Sequence, residues 1–201
     1  MPVAAGIPTG MRAGKRVLAL ALCAFLSGPG VVLAQPVDPW FFKAGPNALK
    51  TRVYTDPSKR FTIEYPAKDW QAFPGGIESV VFLHQKKGLA SVVVERRTLD
   101  VVAEQRFVNV LFLSLRADEI HKADPAASTI EHRVIEAGEF RIAVLLYSRP
   151  GAAGPESLRI YHMLRGRHLY RVVCRAAQGQ LPAFETIFAH VAASFEAPVT
   201  S

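Results

Sequence analysis

The chain has 201 residues, of which 50% are hydrophobic and 20% charged, so it is long and apolar enough for a domain with a full core. Lys and Arg outnumber Asp and Glu by 24 to 17, for a formal net charge of +7. This excess is mild and lies partly at the N-terminus, so it does not indicate a nucleic-acid-binding protein.

The first 34 residues have the three parts of a secretory signal peptide. Basic residues at positions 12, 15 and 16 precede an apolar run over residues 17–26, and small residues at 32 and 34 precede Gln35. We therefore expect cleavage near Ala34 and a periplasmic or secreted protein. The apolar run is short for a bilayer core of ~30 Å, but a retained membrane anchor stays open as an alternative.

Removal of residues 1–34 changes both the charge and the cysteine count. The leader contains three of the 24 Lys and Arg residues and none of the 17 Asp and Glu residues, so the mature chain would carry +4. Cys23 is removed and Cys174 is left without a partner for an intrachain disulfide. We interpret Cys174 as a small buried hydrophobe, with a reactive thiol or a covalent dimer as the alternatives.

Residues 35–50 contain prolines, glycine and the aromatic trio Trp40-Phe41-Phe42, a composition typical of a linker or an N-terminal arm. Alternation of apolar and polar residues then predicts a strand over 61–65 that ends at Pro66. Strands at 77–84 and 90–97 follow and form a hairpin with a basic turn.

A long internal helix is predicted from Val101 to about Arg116, with Asp100 as its N-cap. Its inward stripe would consist of Val101, Glu104, Phe107, Val108, Leu111 and Leu115. Further apolar residues (Val110, Phe112 and Leu113) widen this arc beyond one core face. Flanking loops would cover the extra side, or the helix presents it to a partner. The polar stretch 118–128 reads as a connection.

The C-terminal half predicts more strands and a last helix. Strands are expected at 129–137 and 139–148, the second covered on both faces, and a loop at 149–156. A hairpin of 158–164 and 168–176 precedes an amphipathic helix with apolar residues at helical spacing from Phe184 to Phe195. The fold class is therefore α+β, with one domain over 51–196 and a tail at 197–201.

The order of these parts resembles the PsbP-like family, whose fold DcrB-type envelope proteins and a nuclear Ran-binding import factor share. The first signature is the segment 60–66 followed by Trp70, the second is the last hairpin with Tyr161, Gly166 and Tyr170, and the third is the closing helix. The resemblance implies an α/β/α sandwich around a central antiparallel sheet. It implies no specific activity, and no functional residue of the family can be placed on this chain.

No motif for nucleophilic catalysis, phosphate binding or a helical metal pair is present in the sequence. A three-residue turn at Arg165-Gly166-Arg167 would put His162, His168 and Cys174 on one sheet face, whereas a two-residue turn at Arg165-Gly166 would separate the histidines. Cys174 is far from the turn in either register. We therefore expect no metal, no cofactor and no enzymatic activity.

Arginines are the most distinctive candidates for binding. The three-residue turn would place Arg159, Arg171 and Arg175 on one face, and Arg149 lies beside it in the predicted 149–156 loop. Grouped guanidinium groups suit an anionic lipid headgroup, a polyanionic sugar or an acidic protein surface. The alternative is a solvated face on which Glu95, Glu139 and Glu156 are cross-strand partners of these arginines.

These features predict an exported, non-catalytic accessory or binding protein of the cell envelope that contacts an acidic or anionic partner through the arginine face. The alternative is a periplasmic carrier of a small apolar ligand, held between the long helix and the sheet. We expect a monomer, no nucleic-acid partner, and membrane contact only through the leader or peripherally.

Overall fold

A computed structural model describes residues 49–74, 79–86, 88–137 and 140–198. The predicted signal peptide, nearly all of the predicted arm and the last three residues of the tail lie outside this part. None of the helices in the described residues is long and apolar enough to cross a membrane.

Two antiparallel sheets make up the strand layers of the described residues. Their strands are β1 (Thr51–Thr55), β2 (Thr62–Pro66), β3 (Trp70–Pro74), β4 (Ser79–Gln85), β5 (Ala90–Thr98), β6 (Ser128–Ala137), β7 (Phe140–Gly151), β8 (Gly154–Arg165) and β9 (His168–Ala177). Strands β1 and β2 pair with each other, and the other seven form one sheet in the order β3-β4-β5-β9-β8-β7-β6.

One helix packs on each face of the large sheet. Helix α2 (Leu181–Ala193) and the β1–β2 pair cover one face, where Phe188 and Phe61 contact the row that contains Tyr170 and Cys174. Helix α1 (Val110–Ala123) covers part of the other face, where Leu113 joins the core. The expected α+β class and α/β/α sandwich are confirmed.

Strand β7 is buried on both faces, as its apolar run predicts. All residues from 142 to 147 are buried, although β7 is the second strand from the sheet edge. The loop predicted for 149–156 is wrong, because β7 continues to Gly151 and β8 begins at Gly154. The proline and glycine cluster forms the tip of a long ribbon, where Gly154 adopts a φ of 116° that side-chain-bearing residues rarely adopt.

Helix α1 begins nine residues later than predicted. Residues between Asp100 and Asn109 hold only one 3₁₀ turn (Gln105–Phe107), and the helix N-cap is Asn109, whose side chain accepts a hydrogen bond from the Phe112 amide at 3.0 Å. The helix then runs to Ala123, through half of the stretch predicted as a connection.

The later start changes which residues of α1 face inward. The predicted stripe is wrong, since Leu111 and Leu115 are 68% and 50% exposed, whereas Leu113 is buried. Of the residues expected to widen the apolar arc, Leu113 is buried and Phe112 is partly buried against the same cluster, whereas Val110 is 37% exposed. Phe112, Arg116 and Ile120 instead lie at the border between the helix and the sheet.

Strands β1 and β3 were not predicted. Each has only five residues and borders turn-forming sequence, so neither has a long alternating pattern. Trp70 opens β3 and is buried against Phe184 of α2, with ring centroids 6.4 Å apart. Through this contact Trp70 joins β3 to α2 in the core of the sandwich.

Candidate functional site

The turn between β8 and β9 decides which of the candidate arginines share a face. Arg165 pairs with His168, so the turn consists of Gly166 and Arg167. Gly166 has a φ of 54° at the first turn position, where glycine is favoured in two-residue hairpins. Neither expected register is correct, and the pairs across the hairpin shift accordingly.

In the observed register Arg159 lies on the opposite face from Arg171 and Arg175. Arg159 pairs with Cys174, Arg171 with His162, and Arg175 with Leu158. The prediction of one arginine face over the three residues is therefore wrong. The observed turn begins one residue later than the predicted three-residue turn, so each residue of β8 pairs with a residue of β9 one position later than predicted. A shift by one position exchanges the sheet faces of the paired side chains.

Arg159 is buried beneath α2 and is not part of a binding surface. Its side chain is 6% exposed and forms an ion pair with Glu185 of the helix. Burial lowers the pKa of Arg159, but the hydrogen bond to Glu185 and the neighbouring Tyr161 raise it overall, so the guanidinium stays charged. Arg159 thus joins α2 to the sheet.

The other candidate arginines lie on the α1 side and each has an acidic partner. Arg171 pairs with Glu95, Arg149 Nε is 2.7 Å from Glu156 Oε1, and Arg175 Nε is 3.6 Å from Glu156 Oε2. Two of the three expected cross-strand partners are therefore in place, and the third, Glu139, lies outside the described residues.

The observed register also separates the residues of the metal alternative. His162 faces α1 and Cys174 faces α2. Within the described ranges, no group of three or more His, Cys, Asp or Glu residues could hold a metal ion. Cys174 is fully buried, and burial raises the pKa of its thiol, so it has the inert character of a core residue.

A groove runs between α1 and the uncovered part of the sheet, because α1 packs on β6 and β7 and leaves β5 and β9 open. It consists of an outer part of about 550 Å³ and an inner part of about 300 Å³, which share Arg116, Glu119 and Arg171. We call it the α1 groove. Its charged lining is Glu95, Arg96, Arg97, Arg116, Glu119, Asp124, Arg149 and Arg171.

The side chains that face the α1 groove carry more positive than negative charge. Four arginines (97, 116, 149 and 171) face three carboxylates, because the side chain of Arg96 lies on the other sheet face and bonds Tyr170. Arg171 and Arg149, two of the four predicted arginines, line the groove together with Arg97 and Arg116. Arg175 lies on the same face but outside this lining. An excess of guanidinium groups in a concave site attracts anions and can bind their oxygens in pairs.

His162 lies at the inner part of the groove and is 2% exposed. Burial and then the positive charges of Arg171 and Arg116 lower its pKa to about 3, so the imidazole is neutral near pH 7. Its ring meets Phe112 edge-on at 5.7 Å, and the Arg116 guanidinium lies 5.4 Å from the same Phe112 ring. Phe112 thus positions both groups.

Sequence reasoning missed Arg116 and His162 as site residues. Arg116 was placed at the end of a helix whose start was wrong, and His162 was considered only as a metal ligand. The available signal was the position of His162 among Ile, Tyr, Met and Leu in the segment 160–164, since a buried polar side chain in a strand needs a specific environment.

The architecture is an antiparallel sheet between two helices, which is the PsbP-like fold. The solved structure of PsbP (CyanoP) from Synechocystis has a TM-score of 0.54 and 14% identity, over 78% of this chain and 97% of that one. LpqN from Mycobacterium tuberculosis, described as involved in cell envelope biogenesis, has a TM-score of 0.52 and 12% identity over 74% and 92%. The Saccharomyces cerevisiae Ran-binding protein Mog1p has a TM-score of 0.52 and 6% identity, over 74% and 96%.

These likenesses confirm the fold that the three sequence signatures predict. No protein-family model matches the chain, and no curated protein matches it in sequence. The α1 groove is therefore interpreted from its own residues.

Proposed function

We propose that this protein is an exported, non-catalytic binding protein of the cell envelope that holds an anionic partner in the α1 groove. The observation that carries the proposal is the excess of arginine over carboxylate in this concave lining. The predicted leader supports the compartment. The similar fold of LpqN, described as involved in cell envelope biogenesis, agrees with it.

Two features of the groove favour binding of an anion over the alternative roles. Charged residues line both parts of the groove, beside apolar residues in the inner part, and this lining suits an anion better than the small apolar ligand of a carrier. Guanidinium groups are the most numerous ionisable side chains of the lining, and they bind and orient oxyanions but do not exchange protons near neutral pH. Both features support a binding role for the domain.

Charge reversal in the groove tests the proposal. Arg97→Glu combined with Arg171→Glu replaces two positive lining charges by negative ones, and we expect binding to vesicles that contain phosphatidylglycerol, and capture of acidic proteins from an envelope extract, to weaken about tenfold or more. Arg52→Glu is the matched control, because Arg52 is an exposed arginine of β1 outside the groove lining.

The comparison of the two variants separates a site from general charge attraction. Equal weakening by Arg52→Glu would show that net charge alone causes binding, and unchanged binding of the double variant would refute the groove. Arg97→Glu alone is the second variant, because Arg171→Glu also removes the ion pair with Glu95. Circular dichroism melts check that each variant is folded.

A further inference from the structure

Two buried nitrogen atoms in the inner part of the α1 groove have no hydrogen-bond partner among the described residues. They are Nδ1 of His162 and Nε of Arg116. Glu119 pairs with Arg116 through Nη2 at 2.8 Å, which leaves Nε available on the same guanidinium. A buried polar atom without a partner loses the hydrogen bond that it would make with water, so such atoms in a concave site indicate a ligand.

The groups around this position come from three different elements. Arg116 is on α1, His162 on β8, and Arg171 is directly opposite His162 on β9. All three line the inner part of the groove. Phe112 contacts the His162 ring and the Arg116 guanidinium, so the positions of these two groups are coupled through one aromatic side chain.

We propose that Arg116, His162 and Arg171 form a subsite for a phosphate group, either free phosphate or a phosphomonoester. This assignment deepens the proposed function, on which it rests. A phosphate group near neutral pH has ionised oxygens that accept hydrogen bonds from the two guanidinium groups, and it can keep a proton on another oxygen, which Nδ1 of His162 accepts. An ionised carboxylate has no such proton and would leave Nδ1 without a partner.

Each residue has a distinct role in this subsite. Nε of Arg116 and the guanidinium of Arg171 donate charge-assisted hydrogen bonds, which are the strong contacts to an oxyanion. Neutral His162 keeps its single proton on the ring nitrogen that bonds the Ala143 backbone carbonyl, so its Nδ1 accepts a hydrogen bond from a protonated phosphate oxygen. Arg97, in the outer part of the groove, adds positive potential that helps to offset Glu119 and Glu95.

Calorimetric titration of the full chain with inorganic phosphate and with glycerol 3-phosphate tests the subsite, and acetate serves as the carboxylate comparison. A third arm measures sedimentation with vesicles that contain phosphatidic acid. We expect saturable phosphate binding that His162→Leu and Arg116→Gln each weaken about tenfold or more. Arg133→Gln is the matched control, because Arg133, like Arg116, forms an ion pair with a nearby glutamate but lies outside the groove lining.

The binding measurements in solution and on vesicles distinguish the source of the phosphate group. They also separate a failure of the subsite from a failure of the proposed function. Binding in solution identifies free phosphate or a soluble ester, whereas His162-dependent binding to vesicles alone identifies a lipid headgroup. The subsite is refuted if no arm binds, if acetate competes equally, or if His162→Leu and Arg116→Gln bind as wild type does. Loss of groove binding in the Arg97 and Arg171 double reversal, with no phosphate binding, would refute the subsite and retain the proposed function.

Discussion

His162 is a polar ring in a position where its neighbours on the strand are buried and mostly apolar. Two guanidinium groups, Arg116 from α1 and Arg171 from β9, contribute to its electrostatic environment. A charged imidazole at this position would be both desolvated and repelled, so the folded protein holds the neutral form. This single residue therefore links the stability of the domain to pH.

Substitution of His162 is expected to change the pH dependence of stability. Its folded pKa of about 3 lies below the unfolded value of 6.5, so below pH 6.5 the unfolded state binds more protons and stability decreases as the pH falls toward 3. Between pH 7.5 and 5 the contribution of His162 amounts to a loss of about 2 kcal/mol in the free energy of unfolding.

Urea unfolding of wild type and His162→Gln at several pH values measures this contribution. The variant lacks this titration, so the difference in unfolding free energy between the two proteins should narrow by that amount at low pH. Other histidines titrate in both proteins and cancel in the difference. A difference that stays constant with pH would show that His162 is accessible to protons in the folded state.

The sequence predicted only in part which of the candidate arginines share a sheet face. Alternation along β9 correctly placed Arg171 and Arg175 on one face, because side chains in a strand alternate strictly. Arg159 was assigned to the wrong face because its face relative to β9 depends on which residues form the turn. The sequence is compatible with turns at 165–166, 165–167 and 166–167, and the structure has the last of these. Ion pairs such as Arg159 with Glu185 depend on contacts between distant segments, which one sequence does not specify.

Helix α1 determines the shape of the groove at the scale of elements. It begins at Val110, after its N-cap Asn109, and ends at Ala123, and its border residues lie over the sheet while Leu111 and Leu115 face outward. Both Asp100 and Asn109 are residue types that cap helices, and apolar residues follow each of them. The choice of Asn109 reflects the packing of Leu113 into the core, which is tertiary information.

Removal of the cap tests where this helix begins. Asn109→Ala should lower the free energy of unfolding by about 1 kcal/mol, because the Phe112 amide loses its side-chain acceptor. Asp100→Ala is the matched control and should change the stability by less than about 0.5 kcal/mol. Urea unfolding of the two variants gives both values. An equal or larger effect of Asp100→Ala would place the helix start where the sequence pattern predicted it.

The prediction of elements succeeded where the pattern was long and failed where it was short or ambiguous. The predicted strands that became β5, β6 and β9, and helix α2, have sustained periodicity, and their observed bounds lie within a few residues of those predicted. Strands β1 and β3 are too short for a pattern to form. Prolines at 150 and 155 suggested a loop, but they face each other in the ribbon of β7 and β8, a pairing that is visible only in three dimensions.

At the scale of the whole molecule, the two faces of the large sheet are covered to different extents. The face toward α2 and the β1–β2 pair forms the larger core, which includes Tyr161, Tyr170 and Phe188. The face toward α1 is divided into two smaller clusters and leaves β5 and β9 beside the groove. The larger core thus lies on one face of the sheet, and the groove proposed for binding lies on the other.

The accessibility of the Cys174 thiol measures the stability of the face that packs against α2. It lies on β9 between β5 and β8, is 0% exposed, and burial raises the pKa of its thiol. A reagent can reach this sulfur only when α2 leaves the sheet or the whole domain unfolds. In a chain that carries Cys23→Ser, Cys174 is the only thiol, and its labelling should be slow and should follow the same denaturant dependence as global unfolding measured by circular dichroism. Labelling that is independent of denaturant would contradict this expectation and show that α2 opens locally.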